Sequence, residues 1–258
     1  MNYNPEVMDN KIHNPKILSF FILFYTVAMI YANWFDPRLI RIPFLGLETV
    51  AGNFIFPLTF LISNIITEVY GFKHARRAIW CGFGLNFLGI MLGQLITLLP
   101  SPSYADNSAF DSIIQKSTKI VIASGISYLI AEPLNSIIMS KMKIKLKEFI
   151  AIRFICSTIF ATLIDSIFFI LIAFWGILSI NNMINMILTM WGIKVFIEIF
   201  GTPFSVRLVK YLKNYERMDI YDRKTKYNLF SLDTTYATNE NEFYKHHKVE
   251  KDQNLHTI

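Results

Sequence analysis

Charge is scarce in this chain. Asp, Glu, Lys and Arg make up 17% of its 258 residues, against about a quarter in soluble domains. Cysteine is scarcer: only Cys81 and Cys156 are present, which excludes a disulfide framework and reads as two packing residues in a reducing setting. Histidine is missing from every predicted span, which removes the commonest general base and metal ligand from the apolar part. No HExxH, G-x-S-x-G or Walker-type phosphate loop occurs, so zinc hydrolysis, α/β-hydrolase chemistry and P-loop ATP hydrolysis are not expected. His246 and His247 are adjacent near the C-terminus, with no further ligands nearby to complete a metal site. The expectation is a protein that is not an enzyme and carries no cofactor or metal.

Apolar residues fill the space that charge leaves. They make up 53% of the chain, with 23 Phe, and they gather into tracts of the length needed to cross hydrocarbon, about 20 residues. Six spans are predicted, at 17–35, 49–70, 78–99, 119–139, 149–178 and 183–208. The fold class is therefore an all-α integral membrane protein, a bundle of six transmembrane helices. A polar segment, 1–16, precedes it with no small-residue cleavage site, so the first span reads as an uncleaved helix. The transport domain is 17–213. The charged tail, 214–258, has no Gly or Pro and reads as partly disordered.

A formal charge of +6 does not point to nucleic acid, because the basic residues abut the apolar tracts. Lys11 and Lys16, then Lys73, Arg76 and Arg77, then Lys141, Lys143, Lys145 and Lys147, then Arg207, Lys210 and Lys213 all fall on one side. The other side has Arg38, Arg41 and Lys116. Both termini are accordingly expected in the cytoplasm.

Each predicted span carries polar or small residues at steps of three and four, which places them on one face. The second has Asn53, Asn64 and Glu68; the third, Gly82, Asn86, Gly89 and Gly93. The fourth has Tyr128, Glu132 and Asn135; the fifth, Thr158, Thr162 and Asp165; the sixth, Trp191, Lys194, Glu198 and Ser205. Counting about 1.5 Å per residue from the helix ends puts Glu132, Asp165, Lys194 and Glu198 near mid-membrane. Each such charge costs about 2.5–3.5 kcal/mol on insertion scales, so they are expected to face one another and a guest, though interhelical glue is the plainer alternative. Lys194 and Glu198, four apart, are expected to pair, which leaves Glu132 and Asp165 as unbalanced acids. Pro57, Pro133 and Pro203 are expected to break three helices and free the carbonyls of Asn53, Leu129 and Ile199. Trp34, Trp80 and Trp175 fit an aromatic belt, and Trp191 or Phe168 could stack on a flat ligand.

The segment FPLTFLISNIITEVYGFKHARRAIW (56–80) resembles the second-helix region of the queuosine precursor transporter family, also called the vitamin uptake transporter family. IASGISYLIAEPLNSIIMSKMK (122–143), STIFATLIDSIFFILIAFWG (157–176) and MWGIKVFIEIFGTPFSVRLVKYLK (190–213) fit the same family in the same order. The resemblance implies six helices and import of a 7-deazaguanine base, either the cyano or aminomethyl precursor of queuosine or queuine itself. It matches Arg76 and Arg77 to paired arginines of a cytoplasmic loop, Asp165 to a fifth-helix aspartate and Lys194 to a sixth-helix lysine. Asn64 stands where members often have Asp. Glu132 and Asn135 stand where Gln and Asp are usual, so the acids are redistributed.

The candidate substrate-binding residues are Glu132, Asp165, Lys194, Glu198, Asn64, Asn135 and Trp191. A guanine-like edge offers adjacent N–H donors to a carboxylate such as Asp165 or Glu132, and a carbonyl to Lys194. The first expectation is a secondary transporter in a bacterial inner membrane. The alternative is a membrane-embedded vitamin-binding subunit energised by a separate ATPase. A small heterocyclic base and the lipid bilayer are the implied partners, nucleic acid is not, and a homo-oligomer is compatible with the sequence.

Overall fold

Among the described residues the apolar tracts form six α-helices: α1 (Leu18–Phe35), α2 (Pro57–Tyr70), α3 (Phe72–Thr97), α4 (Ser108–Lys145), α5 (Ile150–Phe174) and α6 (Ile180–Glu216). This computed structural model describes residues 15–43 and 45–243. All the helices except α2 are long and apolar enough to cross a membrane. Their outer faces remain apolar: Phe20 and Phe24 of α1, Leu92 and Leu95 of α3 and Phe204 of α6 are all exposed. A soluble protein rarely exposes so much contiguous apolar surface, whereas hydrocarbon solvates it.

The second predicted span is not one helix. Glu48–Val50 forms a strand, β2, paired antiparallel with β1 (Leu39–Arg41) so that Ile40 lies opposite Thr49. A single 3-10 turn, Ala51–Phe54, follows, and α2 begins only at Pro57. Proline suits the first turn of a helix because its missing N–H has no intrahelical partner there. Pro57 therefore starts α2 rather than breaking a longer helix, and the carbonyl expected to be freed at Asn53 does not arise that way. Pro133 and Pro203 do lie inside helices, in α4 and α6.

With 14 residues, α2 is about 21 Å long, short of the ~30 Å hydrocarbon layer. It is buried at every position except Leu58 and Ile62, so it acts as the central post of the bundle, packed by α1, α3, α4 and α6. The 3-10 turn before it lies directly on the end of α1. A Cβ at Gly52 would sit 2.0 Å from the Ala32 carbonyl oxygen and 2.3 Å from Asp36 Oδ1, so only glycine allows that approach.

At its other end α2 is separated from α3 by Gly71 alone, in the left-handed region at φ +85°. Arg76 and Arg77 thus belong to α3 and not to the loop expected for them. One positive-φ glycine reverses the chain where a longer loop was predicted.

The segment after Glu216 was expected to be a partly disordered extension. It is described as far as residue 243, and it forms a strap across the adjoining helix ends. Asp222 Oδ2 accepts from the Phe72 N–H at 2.9 Å and from Ser140 Oγ at 2.8 Å. Its Oδ1 accepts from the Tyr236 hydroxyl at 2.7 Å. The Arg76 guanidinium donates to the carbonyls of Asn228 and Asp233, whereas Arg77 is exposed. His246 and His247 lie outside the described residues. We call this the strap end of the bundle and the opposite one, where β1 and β2 lie, the hairpin end.

Candidate functional site

Polar residues gather inside the bundle because lipid cannot solvate them and each helix turns its polar stripe inward. Nearest the hairpin end, α5 supplies Asp165, α6 supplies Lys194, the end of α1 supplies Asp36 and the 3-10 turn supplies Asn53. They surround a cavity of about 10 Å³ walled by Phe56 and Phe169. That volume holds about one water. Asp165 and Asp36 are 2% and 5% exposed, Lys194 1%.

Lys194 donates to Asp165 Oδ2 at 2.5 Å and to Ser166 Oγ at 3.3 Å, and its ammonium lies 5.0 Å from the Phe56 ring centroid. It is not paired with Glu198, contrary to the expectation from their spacing. Lysine has the reach to cross to α5, where a buried carboxylate needs a cation more than a second group on its own helix does. The expectation of Asp165 as an unbalanced acid is corrected by the same contact.

Glu198 belongs to a second cluster. Its Oε1 accepts from Asn64 Nδ2 at 2.9 Å, and that amide also donates to Thr158 Oγ1 at 3.1 Å. Asn64 Oδ1 accepts from Asn135 Nδ2 at 3.0 Å. The structure therefore brings Asn64, Asn135 and Glu198 together, from α2, α4 and α6. Asparagine at position 64 has a physical role here, since an aspartate would supply no donor to Glu198.

Glu132 stands between the clusters, within electrostatic reach of Asp165 and of Glu198. It is fully buried, and neither carboxylate oxygen has a hydrogen-bond partner. Unpartnered acceptors recur nearby, at Asp36 Oδ1, Asn53 Oδ1, Asn135 Oδ1, Asp165 Oδ1 and Glu198 Oε2. This interior is thus rich in acceptors and poor in donors, with four acids (Asp36, Glu132, Asp165, Glu198) to one lysine among the described residues.

Trp191 donates its indole N–H to the Ile159 carbonyl at 3.1 Å, which anchors α6 to α5. Phe168 is 39% exposed and its neighbour Phe169 lines the cavity. The shift of one residue is a turn of about 100° on the helix. Sequence reasoning missed Asp36 as a site residue because it follows the first span. Only the return of the hairpin, signalled by the Gly52 contact, brings the cavity to it.

A separate ionic network closes the strap end. Glu68 Oε1 accepts from Arg153 at 2.7 Å and from Lys213 at 2.6 Å. Asp219 Oδ1 takes Lys143 at 2.7 Å and Lys213 at 2.8 Å. Burial pushes the Asp219 carboxyl up, but the two ammoniums outweigh it and hold it below the ordinary aspartate range. Arg153 lies within the apolar run after Phe149, and that placement was the sequence signal for its burial. Among the described residues there is no group of three or more His, Cys, Asp or Glu able to hold a metal ion.

A family model described as "Putative vitamin uptake transporter" matches residues 50–208. The chain is 24% identical over 176 residues to a protein of Bacillus subtilis (strain 168) named "Probable queuosine precursor transporter", covering 67% of this chain and 76% of that one. It is 25% identical over 163 residues to the "Queuosine precursor transporter" of Escherichia coli (strain K12), covering 62% and 70% respectively. No solved structure matches the chain.

Proposed function

The chain belongs to the vitamin uptake transporter family, a family of transporters and not of enzymes, and from that premise we propose that it imports queuosine precursors across a bacterial inner membrane. It is a multi-pass membrane protein, with long apolar helices and bacterial relatives named as transporters. The proposed substrate is a 7-deazaguanine base, carried by a secondary mechanism. The excess of Lys and Arg at the strap end supports a cytoplasmic position for that end and for both termini.

One observation carries the substrate reading: unpartnered acceptor oxygens on Asp36, Asn53 and Asp165 surround a cavity whose one cation is Lys194, with the Ser124 and Ser127 hydroxyls beside it. A guanine-like base has the complementary edge, adjacent ring and exocyclic N–H donors beside one carbonyl acceptor. In this reading Asp165 accepts from the donor edge in bidentate fashion, as carboxylates do for paired N–H groups, and Lys194 turns to the carbonyl. Phe56 and Phe169 offer ring faces to the heterocycle. Asn64, Asn135 and Glu198 form the deeper polar wall, and Trp191 fixes α6 rather than touching the base. The cavity of about 10 Å³ is too small for a bicyclic ring, so in this reading the site must widen to admit the base. The test is complementation in a host that lacks both synthesis and uptake of the base. Restored queuosine in tRNA supports the reading, and none with any supplied 7-deazaguanine overturns it.

A further inference from the structure

Glu132 is the interior acid with no partner on either oxygen. A bare carboxylate in that position carries a desolvation penalty of several kcal/mol with no cation to offset it. The groups that face it from each packed element are identifiable. Tyr25 comes from α1, and Thr59 and Ser63 from α2; Asp165 on α5 and Glu198 on α6 are the nearby charges. Tyr128 lies one turn away on its own helix, with Cys81 of α3 beside it. The lysine of this interior is committed to Asp165. All the acidic neighbours repel a second negative charge, and among the described residues no cation faces it.

The direction of the surrounding hydrogen bonds is more informative still. Tyr128 donates to the Ile79 carbonyl at 2.9 Å, which uses its only proton. In the 2.7 Å contact between Tyr25 and Tyr128 hydroxyls, Tyr25 must therefore be the donor. Thr59 donates to the Phe56 carbonyl at 2.7 Å. The Tyr25 and Thr59 oxygens thus turn only lone pairs toward Glu132. An ionised carboxylate is acceptor-only and finds no donor in them; a protonated one has an O–H to give. Ser63 shares a 3.2 Å contact with Ser136 in which either can donate, so its proton is available to Glu132 when Ser136 is the donor.

We propose that Glu132 is a proton-binding site of the transport cycle, held as the neutral acid whenever the bundle is closed, with the lone pairs of Tyr25 and Thr59 turned toward its O–H. On closing, the carboxylate takes one proton from water; on opening and hydration, it returns that proton to water. No other group changes charge. Among the described residues no group of three or more His, Cys, Asp or Glu is placed to hold a metal ion, and the proton is the ligand we assign to this site. The link to transport rests on the function proposed above, but occupancy of the site does not.

The test is infrared spectroscopy of the full chain in lipid at neutral pH, without substrate. A carboxylic-acid carbonyl band is expected, present in the wild type and missing in Glu132→Gln. Tyr25→Phe, which leaves the carboxyl in place, is expected to shift that band. A wild-type spectrum with no component attributable to Glu132, or a band unchanged in both variants, overturns the proposal. In proteoliposomes the wild type is expected to exchange labelled base at a rate that falls as pH rises, by up to about tenfold per unit for one proton, with a flat profile in Glu132→Gln. The same pH profile in that variant overturns the coupling. Should the band be present while no 7-deazaguanine is exchanged, the proton site stands and the substrate assignment falls.

Discussion

Lys194 Nζ and Asp165 Oδ2 meet at 2.5 Å across the α5–α6 interface, with 1% and 3% of their side chains exposed. Each group makes the other tolerable in a dry interior, so removal of one should cost more than removal of both. Asp165→Asn is expected to destabilise the protein by about 3–5 kcal/mol by leaving an uncompensated ammonium. Asp165→Asn with Lys194→Met should recover a large part of that loss. Thermal unfolding in detergent or lipid reads the stability, and base exchange should be lost in both variants.

Asn64→Asp would place a second acid 2.9 Å from Glu198 and remove the donor that serves both Glu198 and Thr158. The expected cost is about 1–3 kcal/mol, the penalty for leaving buried acceptors unsatisfied. Asn64→Asp combined with Glu198→Gln restores a donor opposite the new carboxylate and should regain stability. A double-mutant cycle checks this, and additive effects would contradict it.

At Gly52 the obstacle to any side chain is backbone: the Ala32 carbonyl lies 2.0 Å from where a Cβ would be, and a carbonyl cannot rotate aside as a leucine tip can. Gly52→Ala should push the hairpin off α1, carry Asn53 away from Asp165 and abolish base exchange. At Gly201 the neighbour is the end of the Leu61 side chain, 2.6 Å away, and Gly201→Ala should be milder. Comparison of the two by unfolding and exchange tests the distinction.

The strap should respond to acid. The Asp219 carboxyl is held below its ordinary value by Lys143 and Lys213 against the effect of burial. The stability it confers is therefore complete above the ordinary aspartate pKa of about 4 and is lost as pH falls through the lower folded value. Hydrogen exchange in 217–243 is expected to quicken only in that acid range. In Asp219→Asn it should be fast already at neutral pH.

Much of this architecture was legible in the sequence, for reasons that differ by element. The tracts that became α1, α5 and α6 were visible because hydrocarbon imposes length and polarity on any spanning helix. Depth counting singled out Glu132, Asp165, Lys194 and Glu198, and all four are buried. It could not choose partners among them, since Lys194 reaches Asp165 by a contact between helices, and helical spacing records only neighbours on the same one. The hairpin was hidden because Thr49–Tyr70 is apolar enough to read as one span, and the strand pairing that divides it depends on residues 39–41. The strap was illegible for a related reason. Its composition resembles that of a solvated tail, and its order comes from single hydrogen bonds to helix ends, such as Asp222 to the Phe72 N–H.

Glu68 offers one oxygen atom to two helices at once, Arg153 of α5 and Lys213 of α6. Two levers pinned to the same rivet cannot slide past each other there, so any rocking of α5 against α6 must pivot about that point. The amplitude of such a rock grows with distance from the pivot and is greatest at the far rim, where β1 and β2 fold over the cavity. Nearer that rim the same two helices are joined again, by the Lys194–Asp165 ion pair, so a rock about Glu68 is felt first at that second bond.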